Sequence, residues 1–300
     1  MTQTVVRGPK ALRARARRGR LFTALEQATG LDAVGDAGQR AVRAVLRPQR
    51  LRDALHGVWL GHALHPVLVQ VPVGSWISTA VLDITGRHPR AATTLATVGT
   101  ASALPAAVAG LNDWAALSRE QRRVGIVHAV ANTAALALYA ASVADRLRGR
   151  HGRGRVLAFL GLSIAGGGAY VGGHLSYGQA AQVSQAAPEL RLVPEGWHEL
   201  GALAEFPDGG MAVRTIGDVP VLVARDGDEC TVLVERCGHQ RGPLGEGEVT
   251  GSGADRCVVC PWHGSAFRLR DGAVMHGPAA SDQPLLRSRV VAGRVEAALP

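Results

Sequence analysis

Two cysteine–histidine pairs in the last third of the 300-residue chain have the types and spacing of metal ligands. Cys237-Gly-His239 precedes Cys260-Pro-Trp-His263, with 20 residues between His239 and Cys260. Two such pairs on two loops suit a [2Fe–2S] cluster in which two thiolates hold one iron and two neutral imidazoles hold the other. Replacing two anionic thiolates by imidazoles makes the site less negative and raises its reduction potential. The pattern therefore predicts a one-electron redox centre.

A competing interpretation is a zinc site made by Cys257-x-x-Cys260 together with nearby histidines. That arrangement leaves Cys237 and His239 without a role, so the cluster is the favoured interpretation. Cys257 and Cys230 then lie on predicted strands, where buried cysteine behaves as a small hydrophobic residue.

The segment that must position these ligands, residues 189–300, carries charges throughout and shows short alternating apolar runs. Val221–Ala224 and Thr231–Val234 flank Asp226-Gly227-Asp228, which is the pattern of a β-hairpin. Six or more such strands with glycine-rich turns predict a small all-β domain. The alanine-rich residues 179–188 before it are predicted to be a linker.

The first two-thirds of the chain is different, because four runs of at least 20 residues contain no Asp, Glu, Lys or Arg. A membrane-spanning helix needs about 20 mainly apolar residues. A soluble alanine-rich bundle is the alternative, but its helices would carry polar faces that these runs lack. The pattern predicts a bundle of four transmembrane helices over residues 54–178. The four runs are Ala54–Leu82, Ala91–Asn112, Val124–Ala144 and Val156–Pro188.

The segment 1–53 is basic and is expected to form an amphipathic helix over residues 11–52. Such a helix either lies on anionic membrane lipid or is a solvated basic tail. The net charge of +9 comes with no recognised nucleic-acid-binding motif, so no nucleic-acid partner is predicted. No apolar core of a cleavable signal follows the first 20 residues.

Four histidines occur near the ends of the apolar runs, where polar residues are costly and often functional. An up-down-up-down path through the membrane would place them at one face, together with Asn112, Asp113 and Trp114. Imidazoles on facing helices can ligate haem b iron or hydrogen-bond a quinone. The alternative is that each is an interfacial histidine held by a backbone carbonyl. The four residues are His62, His65, His128 and His174.

The flanks of the two cysteine–histidine pairs, "CGHQRGPLGEGEV" and "CPWHGSAFRL", resemble both cluster-binding boxes of the Rieske family, and "GPAASDQPLLRSRV" resembles its closing segment. The resemblance implies that the two cysteines bind the inner iron and the two histidines the outer, more exposed iron. It also implies that the Ser265 hydroxyl lies near the cluster.

Two departures indicate the ferredoxin-like and oxygenase-associated branch of that family. The respiratory Rieske proteins have an extra disulfide where this chain has Gly242 and Trp262, and a tyrosine where it has Phe267. Fewer hydrogen bonds to the cluster sulfurs imply a lower reduction potential. Residues 54–185, which include "GLNDW" and "GGGAYVGGHLSYGQ", resemble a bacterial four-helix membrane family of unknown function.

These patterns together predict a membrane-anchored one-electron carrier in a bacterial cell membrane, with a redox partner protein as donor or acceptor. The 112-residue β domain has no room for the mononuclear iron site of an oxygenase. A redox-sensing or scaffolding protein, or a membrane subunit of a quinone- or haem-linked reductase, are the alternatives. Equal numbers of arginines flank the two sides of the bundle, so the bias of positive charge does not decide the orientation. The basic N-terminal segment and the cytoplasmic assembly of iron–sulfur clusters predict that the Rieske-like domain lies in the cytoplasm.

Overall fold

The computed structural model describes residues 20–300, which divide into two compact units. The first unit comprises the described residues up to Ala44, with Val71–Ala103 and Leu117–Ala181. The second unit comprises Val45–Gln70, Leu104–Ala116 and Gln182–Pro300. The basic residues 1–19, which belong to the predicted interfacial segment, lie outside the described residues.

Helices account for most of the chain before residue 179. Residues 20–26 are helical. The helices with defined bounds are α1 (Asp32–Val45), α2 (Gln49–His56), α3 (His65–Leu68), α4 (Gln70–Thr85), α5 (Pro89–Trp114), α6 (Arg119–Leu147) and α7 (His151–Gly173). A short irregular turn, His174–Gly178, continues α7. The start of α6 is capped, because Ser118 Oγ accepts a hydrogen bond from Gln121 N and Gln121 Oε1 accepts one from Ser118 N.

Four helices in the described part of the chain are long and apolar enough to cross a membrane. They are His65–Thr85, Pro89–Trp114, Arg119–Leu147 and His151–Gly178. The shortest has 21 residues, which at 1.5 Å per residue gives about 31 Å and matches the hydrocarbon thickness of a bilayer. These helices correspond to the four charge-free runs, and the prediction of four membrane-type helices is confirmed.

Close packing of small residues and one buried ion pair organise the first unit. Trp76 of α4 stacks on Tyr139 of α6, with ring centroids 4.2 Å apart. A methyl group on Gly161 of α7 would lie 2.9 Å from the Tyr139 ring, so α7 approaches α6 closely at this point. Asp83 and Arg146 form an ion pair in which both side chains are 1% exposed. Their pairing explains how charged residues at the ends of two apolar runs are buried.

The C-terminal part of the second unit is an all-β domain of two antiparallel sheets, as predicted. The six-stranded sheet has the order β1-β10-β9-β4-β3-β2 and the four-stranded sheet the order β5-β6-β7-β8. The strands are β1 (His198–Ala202), β2 (Met211–Ile216), β3 (Val219–Asp226), β4 (Glu229–Val234), β5 (Glu248–Thr250), β6 (Cys257–Val259), β7 (Ala266–Arg268), β8 (Val274–His276), β9 (Leu285–Val291) and β10 (Arg294–Ala298).

The predicted hairpin is formed by β3 and β4, and it separates two apolar cores. Alternate side chains of β3 point to opposite faces, so Val221 and Val223 enter one core while Leu222 enters the other. The second core also contains Cys237, Cys260 and Phe267. The cysteines of the two boxes are therefore anchored in the apolar interior of the domain.

Candidate metal centre

The two predicted ligand pairs lie on two loops that leave neighbouring parts of the β domain. The first loop follows β4 and is closed at its base by a bridge between Arg236 and Pro243. The second loop, residues 260–265, joins β6 to β7, whose last paired residues are Val259 and Ala266. Within the second loop, Cys260 N donates to Ser265 O at 2.8 Å. Each loop is thus a tight turn built on paired strands.

Cys237 and Cys260 are brought into direct contact by these loops. Their side chains are hydrogen-bonded to each other, and the residues are only 1% and 3% exposed. The hydrogen bond to Cys260, followed by burial, raises the pKa of Cys237. The same hydrogen bond lowers the pKa of Cys260, assisted by the backbone N–H groups of Trp262 and His263. The pair is therefore surrounded by N–H donors that stabilise negative charge on sulfur.

His239 and His263 form the second pair. Their ring centroids are 4.9 Å apart and the rings are nearly perpendicular, at 84°. His239 is 5% exposed, and both of its ring nitrogens are buried without a hydrogen-bond partner among the described residues. Burial, and then the charges of His263 and His56, lower the pKa of His239 to about 3. This imidazole is therefore neutral at physiological pH, as a metal ligand must be.

The donor set fits a two-iron cluster. Buried polar atoms without a partner are costly in a folded protein, and metal coordination is one way in which the nitrogens of His239 can be satisfied. The thiols lie together and the imidazoles lie together, so each pair can serve one iron. Across residues 20–300, no three His, Cys, Asp or Glu side chains are grouped as ligands of a single ion. The Cys257 thiol, which a zinc site would use, instead donates to Asp255 O at 3.3 Å.

The residues that distinguish the respiratory Rieske proteins lie beside the cysteine pair. A methyl group on Gly242 would be 2.7 Å from Cys260 Sγ and 3.1 Å from Trp262 Cγ. Positions 242 and 262 are thus close together, and the indole of Trp262 covers the space next to Gly242. Phe267 is fully buried. The Ser265 hydroxyl is also buried and accepts a hydrogen bond from Ala279 N at 3.0 Å. Its own hydrogen can therefore be donated to an acceptor in the site.

Gln283 is a site residue that the sequence interpretation missed. Its Oε1 accepts from Gly238 N at 3.0 Å, and its Nε2 donates to the carbonyls of Val234 and Arg236 at 2.7 Å each. The residue is 1% exposed. One amide therefore fixes both the end of β4 and the loop that carries His239. Its position in the segment that resembles the Rieske closing segment was the only available signal.

The chain that precedes the β domain also contacts the first loop. Gln185 N donates to Gly238 O at 2.8 Å, and Arg241 forms an ion pair with the buried Glu189. Ala186 is fully buried in the first apolar core. The second half of the predicted linker 179–188 is therefore packed against the domain that it precedes.

The four membrane histidines each have a local hydrogen-bond partner. His62 donates to Ala63 O at 3.1 Å and His65 to Ala106 O at 2.8 Å, both in the second unit. In the first unit, His128 donates to Gly168 O at 2.8 Å, and His174 Nε2 lies 3.0 Å from Glu26 Oε1. A shared haem or quinone site for these residues stays a prediction.

Comparison with known proteins gives two family matches. Residues 196–289 match the model of the Rieske [2Fe-2S] domain, and residues 61–185 match that of a predicted membrane protein family, DUF2231. The two matched segments do not overlap, and they correspond to the two parts of the chain that the sequence patterns separate.

Three relatives resemble only the C-terminal part. The ferredoxin subunit of anthranilate 1,2-dioxygenase from Burkholderia cepacia is 37% identical over 100 residues, which are 33% of this chain and 89% of that protein. Ferredoxin CarAc from Metapseudomonas resinovorans is 27% identical over 100 residues, which are 33% of this chain and 90% of that protein. The solved ferredoxin of carbazole 1,9a-dioxygenase from Nocardioides aromaticivorans has 21% identity and a TM-score of 0.33, covering 35% of this chain and 100% of that one.

Proposed function

The chain belongs to the Rieske [2Fe-2S] protein family through its C-terminal domain, and from this premise we propose that it carries single electrons at a membrane face. The related ferredoxins support electron transfer by an iron–sulfur protein. The four apolar helices and the DUF2231 match support membrane anchoring of the same chain. The observation that carries the proposal is the buried His239 ring, whose two nitrogens have no hydrogen-bond partner within residues 20–300, in a domain that also holds a hydrogen-bonded cysteine pair.

In this proposal, Cys237 and Cys260 hold one iron, and His239 and His263 hold the other. A bound [2Fe–2S] cluster supplies reversible one-electron redox chemistry. The backbone N–H groups that point at the cysteine sulfurs stabilise negative charge there. The apolar core around Cys237 and Phe267 excludes water, which keeps the surroundings of the site similar in both oxidation states.

The partner in this proposal is another redox protein. Trp262 is 56% exposed next to the half-buried His263, so this side of the site is open to a partner surface. The relatives named above are ferredoxins, and a carrier of this kind needs a donor and an acceptor. We place the β domain in the cytoplasm, because the basic N-terminal segment favours that side of the membrane.

Electron paramagnetic resonance of the full-length protein in detergent tests the cluster. The reduced protein should give one Rieske-type signal per chain, and His239→Ala or His263→Ala should abolish it. Cys257→Ser and Cys230→Ser are the matched controls and should keep the signal. Loss of the signal in Cys257→Ser but not in Cys237→Ser would overturn the ligand assignment.

Protease accessibility tests the membrane placement. Protease added to intact cells should leave the C-terminal domain undigested, whereas protease added to inverted vesicles should remove it. Digestion in intact cells would reverse the proposed orientation, and recovery of the protein in the soluble fraction would refute the anchoring.

A further inference from the structure

Helix α2 (Gln49–His56) lies outside both family matches, yet it contacts the segment that closes the cluster site. Asp53 Oδ1 accepts a hydrogen bond from Gly277 N at 2.9 Å, and its Oδ2 accepts one from His276 Nδ1 at 2.9 Å. Gln49 Nε2 also donates to Asp53 at 2.7 Å and orients the carboxylate. All of these residues belong to the second unit. One carboxylate of α2 therefore holds the last residue of β8 and the residue that follows it.

His56, one turn after Asp53, fixes the same segment by packing. Its Nδ1 donates to Asp113 Oδ1 at 2.7 Å, and the two residues are only 4% and 6% exposed. The ring lies close to Gly277, where an added methyl group would be 2.8 Å from His56 Cδ2. Only a glycine leaves room for this contact. The imidazole is thus held between the end of α5 and the closing segment.

The closing segment connects this contact to the metal centre. Ala279 follows Gly277 by two residues, and its N–H donates to the buried Ser265 hydroxyl at 3.0 Å. Ala279 packs in the same apolar core as Cys237 and Cys260, and Val58, just after α2, packs against that core. The path from α2 to the cluster residues is therefore short and made of buried contacts.

We propose that Asp53 and His56 are positioning residues of the cluster site, contributed by a helix that precedes the four candidate spans. They hold the segment from His276 to Ala279 against the two cluster loops and so exclude water and chelators from the iron ligands. This inference rests on the proposed function, because it requires a cluster between Cys237 and His263. It implies that the cluster depends on residues that lie outside the Rieske match.

The first test compares Asp53→Ala with wild type in the full-length, cluster-loaded protein. Loss of two hydrogen bonds to a carboxylate should make chelator-driven bleaching of the cluster about tenfold faster. Hydrogen exchange at the Gly277 amide should accelerate by a similar factor, and the reduction potential should shift. Asp53→Asn, which keeps one acceptor, should lie in between. Asp208→Ala is the matched control, because Asp208 accepts from a glycine amide, that of Gly227 at 2.8 Å, in a turn elsewhere.

The second test uses the contact between Gly277 and His56 as a double-mutant cycle. Gly277→Ala should bleach faster than wild type because its methyl group meets the imidazole. In a His56→Ala background the same substitution should have little further effect. Provided that the wild-type protein gives the Rieske-type signal, either of two results would overturn the inference. One is that the effects of Gly277→Ala and His56→Ala on the bleaching rate are purely additive. The other is that Asp53→Ala has the bleaching rate and reduction potential of the wild type. Absence of a Rieske-type signal from the wild-type protein would instead refute the proposed function.

Discussion

Gln283 offers the sharpest test of how the β domain holds the metal centre. Its side chain makes three hydrogen bonds to backbone groups of Val234, Arg236 and Gly238, and it is 1% exposed. Gln283→Ala leaves these groups buried without partners, and each such group costs about 1–3 kcal/mol. The loop that carries His239 should therefore lose about 3 kcal/mol or more of stability, which corresponds to an increase of about a hundredfold in its open population.

The assay is the rate at which a chelator bleaches the visible absorption of the full-length protein in detergent. Gln283→Glu should be similarly harmful, because a second carboxylate oxygen would face two carbonyl oxygens. Asp282→Ala is the neighbouring control. Asp282 is exposed and its carboxylate accepts a hydrogen bond from Val274 N at 2.9 Å. Loss of this bond should cost about 1 kcal/mol or less. Equal bleaching rates in Gln283→Ala and Asp282→Ala would refute the role assigned to the buried amide.

Three further predictions concern the same domain. Gly242→Ala should lower the iron content, because its methyl group would lie 2.7 Å from Cys260 Sγ and 3.1 Å from Trp262 Cγ, whereas Gly238→Ala, whose nearest contact would be 3.4 Å, should retain the iron content of the wild type. Phe267→Tyr should raise the reduction potential in an EPR-monitored redox titration, since it restores a hydroxyl donor near the sulfurs; an unchanged or lower potential would count against this placement. The hydrogen bond from Arg268 lowers the pKa of the Asp271 carboxyl below its ordinary value. The stability that this carboxylate contributes is present above about pH 4 and is lost as the pH falls through the lowered pKa. Asp271→Asn should therefore flatten the acid limb of a denaturation profile, by less than about 1 kcal/mol because the side chain is 42% exposed.

The elements that could be predicted from sequence are those with a local, periodic signal. The four long helices were predicted from runs of 20 or more residues without charge. A helix that crosses a bilayer needs such a run, because charged side chains are costly in contact with lipid. The hairpin of β3 and β4 followed from alternation on both sides of Asp226-Gly227-Asp228. The first apolar run, Ala54–Leu82, does not form one helix: it begins in the end of α2, continues through a 3-10 helix at Val58–Leu60, and enters α3 at His65.

The supporting contacts of the metal centre could not be predicted in this way. The cysteine and histidine pairs can be recognised in the sequence, because thiolates and imidazoles are the side chains that ligate such a cluster and they occur here at a defined spacing. Gln283 and Asp53, by contrast, each act through a few hydrogen bonds, mostly to backbone groups, and such bonds leave no periodic pattern. Asp53 and His276 are 223 residues apart in sequence. Only the tertiary structure brings them together, and neither residue type is unusual for a surface turn or helix.

In the proposed function, the burial of the four proposed ligands indicates where electrons would enter and leave. Cys237 and Cys260 lie in an apolar core, and His239 is 5% exposed in the loop that Gln283 and Gln185 hold. His263 is the least buried of the four, and the exposed indole of Trp262 lies beside it, with ring centroids 6.4 Å apart. Electron transfer weakens steeply with distance, so a partner that contacts Trp262 has the shortest route to the site. The contacts of α2 act on the closing segment instead, so they can stabilise the site without occupying the Trp262 side.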